Sequence, residues 1–224
     1  MGGVGSSIAL IPLLNFTGIG FDVSKTLGLF VNTATTSTAS YLNIKKGLVD
    51  IKFIIPFLTM SVIFAPLGTY AAKILSVYYI RLFFVIFLLY SAYGMIFKKG
   101  VKSTGKLSHL WVMYPAGAIV GFMSGLLGIG GGALIIPMLG YMGLDPKKIA
   151  INVSFMIPFS TLVAFLFHIF VVKIDIILLI ITGVAGVLGG ILGNRAMHKL
   201  NPGQMKKFLG IMLGIIAIKM FLSL

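Results

Sequence analysis

Two glycine-rich segments carry the clearest chemical signal in this chain: Gly3-Val4-Gly5-Ser6-Ser7-Ile8 near its start, and Gly128-Ile129-Gly130-Gly131-Gly132-Ala133 in its second half. Glycines bring the backbone close to a bound group and leave its N–H donors open. Each segment runs into a short apolar stretch that reads as a helix, and the start of a helix presents unpaired N–H groups and the positive end of its dipole. Such a place holds an anion without a buried Lys or Arg. The candidate contacts are Gly3, Gly5, Ser6 and Ser7 in the first segment and Gly130, Gly131 and Gly132 in the second. Glycines also let apolar helices pack closely, and a single glycine pair favours that use. Two copies, each ahead of a short helix, leave both readings open. A nucleotide loop does not fit, because no strand precedes the glycines and no Gly-Lys-Ser/Thr follows.

A second polar feature lies downstream of each glycine segment. The first copy reads Asn32-Thr33-Ala34-Thr35-Thr36-Ser37-Thr38-Ala39-Ser40, and the second carries Asn152, Ser154, Ser160, Thr161 and His168. Amides and hydroxyls in an apolar helix must face a partner helix or a cavity. Asn32 through Ser40 covers every face over two turns, more than one helix contact requires, so cavity lining is the expectation. Asn32, Thr33, Thr36, Asn152 and Ser154 are the candidates. His168 has the right chemistry for a coupling proton. Its place about one turn before Lys173 points more to a structural role at the membrane edge. Asp50 and Asp175 open long apolar segments, where a carboxylate suits the helix dipole and caps free N–H groups. All four acidic residues are Asp and stand at segment edges. That argues against a membrane-embedded hydrolase or a metal site, and neither an enzyme nor a cofactor is expected.

The elements that hold these groups must lie in lipid. The 224 residues are 58% hydrophobic and 10% charged, with a mean hydropathy of +1.10. Soluble domains carry about 25% charged residues. Apolar runs at Phe53–Ala72, Val77–Phe97, Leu110–Gly128, Ile149–Val172 and Ile176–Ala196 meet or approach the roughly 20 residues that cross a bilayer. The net charge of +14 sits at the ends of apolar runs, where it sets topology and meets lipid headgroups. No basic face carries interleaved aromatics, so nucleic acid is not an expected partner. Cysteine is absent, which removes disulfides and thiolate metal sites. Met1–Phe16 lacks the basic start of a signal peptide, and the repeat explains the Met1-Gly2 glycines better than myristoylation does.

The chain matches itself at a nearly constant offset. Gly3-Val4-Gly5 falls on Gly128-Ile129-Gly130, Ile11-Pro12 on Ile136-Pro137, Asp50-Ile51 on Asp175-Ile176, Gly68 on Gly193 and Phe83 on Phe208. An offset held over so long a stretch marks a repeat. The second copy has five segments, the short one at Ala133–Gly143. The first has four, so a leading helix is expected to be missing from it. If the short segments cross the membrane, Lys25, Lys73, Arg81, Lys173 and Lys219 fall on one side, and the other thirteen of the 18 Lys and Arg on the other. If they re-enter, the split is even. Excess Lys and Arg marks the cytoplasmic side, which favours five crossings and inverted halves, a transporter pattern. The expected fold is an all-α integral membrane protein of two inverted repeats with about five helical segments each. Its parts are a first unit at 1–97, a cytoplasmic linker at 98–109 and a second unit at 110–224.

The motif Gly121-Phe122-Met123-Ser124-Gly125-Leu126-Leu127-Gly128-Ile129-Gly130-Gly131-Gly132 with Pro137, followed by Ala150-Ile151-Asn152-Val153-Ser154-Phe155, His168, Asp175 and Gly193, resembles the sulfite exporter TauE/SafE family of membrane transporters. The first half repeats it more loosely, with Ser6-Ser7 in place of two glycines. The resemblance implies movement of sulfite, organosulfonates or related small organic anions across a cell membrane. The expectation is thus a multi-pass anion transporter whose site lies between the glycine segments and the third helices. Its partners are a small anion and membrane lipid. A channel-like conduit and a non-transporting scaffold subunit are the alternatives.

Overall fold

A computed structural model describes residues 6–49, 51–97, 110–131, 135, 146–197 and 202–222. Among them are eight helices: α1 (Ser6–Phe16), α2 (Phe21–Lys45), α3 (Ile51–Ile74), α4 (Val77–Phe97), α5 (Leu110–Leu127), α6 (Pro146–Val171), α7 (Ile176–Met197) and α8 (Pro202–Leu222). The fold is that of an all-α membrane protein. Stretches of α3, α4 and α6 are each long and apolar enough to cross a bilayer. Large apolar side chains cover the outside, Phe170 and Ile176 being 86% and 72% exposed. Lipid tolerates such a surface, and water does not.

Local chemistry sets the helix ends. α1 and α2 each stop at a glycine with positive φ, Gly18 at 90° and Gly47 at 63°. There the backbone turns back to bond the last carbonyls, Ile19 N–H to Leu14 O and Leu48 N–H to Asn43 O at 3.2 Å each. Pro146 and Pro202 open α6 and α8, a position where the missing N–H costs nothing. Asp175 accepts from Ile177 N–H at 2.9 Å, so this aspartate caps α7 as its sequence position suggested. Asp50 lies outside the described residues.

The bounds recur with the offset of the sequence. Adding 125 to the limits of α2, α3 and α4 gives 146–170, 176–199 and 202–222, against α6, α7 and α8 as found. The counterpart of α1, at 131–141, and the linker at 98–109 lie almost wholly outside the described residues. The related helices α2 and α6 pack against each other and run in opposite directions. Phe30 stacks on Phe165 with ring centroids 5.2 Å apart, while three residues onward Thr33 meets Thr161, four residues back.

α3 and α5 form the tightest pair and run the same way. A Cβ on Gly117, Gly121 or Gly125 would overlap the carbonyl O of Phe57, Ser61 or Ala65 respectively, and one on Gly68 that of Phe122. The helices approach backbone to backbone along a four-residue period, which is how apolar helices gain dispersion contact in lipid. These glycines pack; they do not open a site. α5 also runs parallel to α6, with Met113 and Ala116 beside Val153 and Met156 at one end and Gly125 beside His168 at the other. α4 and α8 close the opposite side through Phe84, Leu88, Leu213 and Ala217.

Candidate functional site

α1 has 11 residues, about 16 Å of helix, and it folds back along the first half of α2. Ser7 donates to Gly28 O at 2.7 Å. The start of α1 therefore stands level with Gly28, seven residues into α2 and about 10 Å from its end. Ser7 is fully buried, its hydroxyl proton used in that contact. Gly3, Gly5 and the side chain of Ser6 lie outside the described residues.

The second glycine segment reaches α2 one turn further along, at Asn32. Gly128, Gly130 and Gly131 have φ of 72°, 73° and 70°, a region that strongly favours glycine. They turn the chain out of α5 and back along it, so that a Cβ on Gly131 would meet Val120 Cγ1 at 2.9 Å and Ser124 Cβ at 3.7 Å. Gly130 is wedged between α2 and α6. A Cβ there would overlap the Asn32 amide and stand 2.6 Å from Thr161 Cγ2. Gly132 lies outside the described residues.

Asn32, Thr33, Gly130 and Thr161 thus meet at one point in the middle of the protein. The Thr33 and Thr161 hydroxyls are 2.7 Å apart, and Asn32 and Thr161 are fully buried. Thr36 follows one turn along α2, also buried, and donates to Asn32 O at 2.6 Å. The hydroxyls of α2 largely satisfy themselves. Thr33 reaches Leu29 O at 2.8 Å, Thr35 reaches Val31 O at 2.8 Å and Ser37 reaches Thr33 O at 2.7 Å. This explains how a helix so rich in Thr and Ser survives in an apolar protein without a partner for each hydroxyl.

Two stripes face each other across the α2–α6 contact. On α2 they are Lys25, Asn32, Thr36 and Ser40; on α6, Ser154, Thr161 and His168. All seven are buried, and within each helix they recur at spacings of three and a half or four residues, which keeps them on one face. The opposed directions set Lys25 level with His168, Asn32 and Thr33 with Thr161, and Ser40 near Ser154. Asn152 is buried too but stands apart. Residues two apart point roughly 200° apart around a helix, so Asn152 and Ser154 do not share a face. Asn152 is also nine residues, about 14 Å, from Thr161. A groove of about 270 Å³ runs along α2 and α6 from Ile44, Tyr41 and Ser40 past Pro158 and Leu162, and ends at Thr33.

At the other end of the stripes is a charged cluster that sequence reasoning missed. Lys25 reads in the sequence as one more basic residue at a membrane edge. Its side chain is 1% exposed, and its Nζ lies 2.8 Å from Asp22 Oδ1, which is 46% exposed. Lys25 Nζ and the Arg81 guanidinium each stand 5.3 Å from the centroid of the Phe21 ring. His168 stands three residues before the end of α6 and is buried, with its Nε2 3.0 Å from Gly125 O, because α5 ends against that turn of α6. The one sequence signal was spacing: Lys25 is seven residues from Asn32, on the polar face and not the lipid face.

Comparison with known proteins agrees with this architecture. The curated protein named "Probable membrane transporter protein MJ0441", of Methanocaldococcus jannaschii, is 26% identical over 242 residues, covering 98% of this chain and 89% of its own. One named "Probable membrane transporter protein YunE", of Bacillus subtilis, is 26% identical over 187 residues, covering 70% of this chain and 67% of its own. No solved structure matches. The profile described as sulfite exporter TauE/SafE matches residues 1–220, and the chain belongs to that family of membrane proteins.

Proposed function

We propose that this membrane transporter carries a small anion, sulfite or an organosulfonate or related organic anion, along the polar seam between α2 and α6. The observation that carries this reading is the junction at Gly130. A glycine loop with left-handed backbone enters from α5 and lies between Asn32 and Thr161, at the level where α2 and α6 cross through Thr33 and Thr161. The loop and the start of α1 reach adjacent turns of α2 near its middle, and mid-depth is where secondary transporters place substrate. Serine, threonine and amide groups there exchange helix carbonyls for substrate oxygens with little motion, each hydroxyl turning about one bond.

The antiparallel run of α2 and α6, together with their common bounds under the offset of 125, supports halves of inverted topology. Two mirror-related states, each open to one side, are then available to one chain. The groove ending at Thr33 lies toward the Lys45 end of α2, the side with excess Lys and Arg, which this reading assigns to the cytoplasm of a cell membrane crossed several times. Thr33 and Thr161 close it toward the opposite face, and export is the direction in keeping with the family's description.

The test is sulfite flux in proteoliposomes. A carrier gives flux that saturates with sulfite and accelerates when sulfite is present on the far side. Flux that rises linearly with concentration and shows no exchange would indicate an open conduit, and its absence in folded protein a scaffold.

A further inference from the structure

Resting on the transport reading above, we propose a second anion-binding site at the α2 start of the seam, formed by Lys25 and Arg81 beside His168, in which the Asp22 carboxylate holds the place of the transported oxyanion until one arrives.

The orientation of Lys25 is the first ground. It is the fifth residue of α2, about 6 Å from the helix end. A lysine at that depth ordinarily extends its stem outward and puts the ammonium among the headgroups. Lys25 turns inward instead and is among the largest fully buried side chains described. Its stem passes over Gly128, where a Cβ would stand 2.7 Å from Lys25 Cβ and 2.9 Å from Cγ. A glycine at the end of α5 thus makes room for the lysine to enter.

The second ground is what these groups leave unmet. Lys25 Nζ pairs with Asp22 at 2.8 Å, and among the described residues no second acceptor answers the other donors of the ammonium, which has three. Arg81 Nε and His168 Nδ1 are also buried without a hydrogen-bond partner. A cation present only to complement the C-terminal end of α5 would donate to its last carbonyls. His168 already sits at Gly125 O, Gly128 N–H takes Ser124 O at 2.9 Å, and Lys25 Nζ reaches neither. Nor does a simple ion pair explain the arrangement. Two cations stand by the Phe21 ring while, among the described residues, one carboxylate answers them. One surplus positive charge and the unmatched donors of Lys25 and Arg81, set against the Phe21 ring, suit a small oxyanion with several acceptor oxygens, while the ring of His168, its Nε2 proton given to Gly125 O, borders the place.

Asp22 fits the part of an internal competitor. It is half exposed while its partner is enclosed, so it can leave toward solvent as an anion enters. An anion bound at Lys25 is seven residues along one helix face from Asn32, about 10 Å from the Gly130 junction.

The experiment measures melting temperature of the purified full chain against sulfite, methanesulfonate and acetate in turn. Wild type should be stabilised saturably by at least one of them. Lys25→Met should raise the half-saturating concentration at least about tenfold, as expected when one member of a buried charged contact is removed. Lys25→Arg should restore most of the affinity. Asp22→Asn should lower the half-saturating concentration several-fold, because the competitor is gone; a role confined to folding would lower stability without tightening binding. If Lys25→Met fails to fold, Asp22→Asn carries the test alone. A wild type stabilised by none of the three anions ends this inference and the transport reading together. A wild type that responds, with Gly130→Ala weakened but Asp22→Asn and any folded Lys25→Met at the wild-type midpoint, ends this inference and leaves the seam in place.

Discussion

Adding one methyl group at Gly130 should block the junction, and the structure separates the two reasons why. The residue has φ of 73°, and a side chain in left-handed backbone costs roughly 1–2 kcal/mol. The new Cβ would also overlap the Asn32 amide and press on Thr161 Cγ2, and forced overpacking costs about 1–3 kcal/mol. Gly18 and Gly47 share the positive φ but have nothing within 4 Å of a Cβ. Gly18→Ala and Gly47→Ala therefore report strain alone. At about 2–4 °C per kcal/mol for a chain of this size, they should lower the melting temperature by roughly 2–8 °C, and Gly130→Ala by roughly 4–20 °C. Sulfite flux into proteoliposomes should stay near wild type in the two controls. In Gly130→Ala it should fall to about a tenth or less, the factor that 1.4 kcal/mol of lost binding carries. Gly130→Ala with wild-type flux would refute the placement of substrate at this junction. A melting temperature no lower than that of Gly47→Ala would refute the steric argument as well.

Gly121→Ala should destabilise by about 1–3 kcal/mol, because its Cβ meets the Ser61 carbonyl of the facing backbone, which cannot step aside; thermal unfolding with unchanged sulfite affinity in the folded fraction checks it. Thr33→Val with Thr161→Val in a double-mutant cycle should give a coupling near 0.6 kcal/mol, the usual size of a hydroxyl contact between membrane helices. A coupling indistinguishable from zero would mean that each hydroxyl bonds only its own helix. Asp175→Ala should cost about 0.5–2 kcal/mol through loss of the cap at Ile177 N–H, with faster hydrogen exchange in the first turn of α7.

Helix bounds were legible in the sequence because each apolar run ends where Lys, Gly, Pro or Asp makes continued burial or continued helix costly. Ile176–Ala196 was expected and Ile176–Met197 is found. The roles of the glycines were not legible. Gly121 and Gly131 belong to one motif, yet one abuts the backbone of α3 and the other turns the chain with positive φ. A four-residue period at Gly117, Gly121 and Gly125 signals packing, and its breakdown after Gly128 signals the loop, but only the facing helix shows what each would touch. The hydroxyls of α2 carry a second use that composition does not show: Thr33, Thr35 and Ser37 are bonded to carbonyls one turn back, while Thr33, Ser37 and Ser40 also line the groove. Lys25 was misjudged for a related reason. Its distance from the helix end allows either snorkelling outward or burial, and the glycine that decides the matter lies more than a hundred residues away.

The relative direction of the halves admits a direct test at Leu48 and Lys173, which the repeat makes equivalent, 125 residues apart. Leu48 lies in the turn between α2 and α3, Lys173 in the turn between α6 and α7, and both are exposed. If the halves were parallel, the two turns would face the same side. Opposed packing of α2 and α6 puts them on opposite sides. Lys45, Lys46 and Lys52 surround Leu48, and the proposed topology sets that turn on the cytoplasmic side. The chain has no cysteine, so Leu48→Cys and Lys173→Cys can be probed without background using a membrane-impermeant maleimide. In intact cells Lys173→Cys should react and Leu48→Cys should react only after the membrane is opened. The reverse pattern would overturn the charge-based choice of side and leave the inversion standing. Labelling of both from one side would end it, and with it the view that the chain alternates between two mirror-related states.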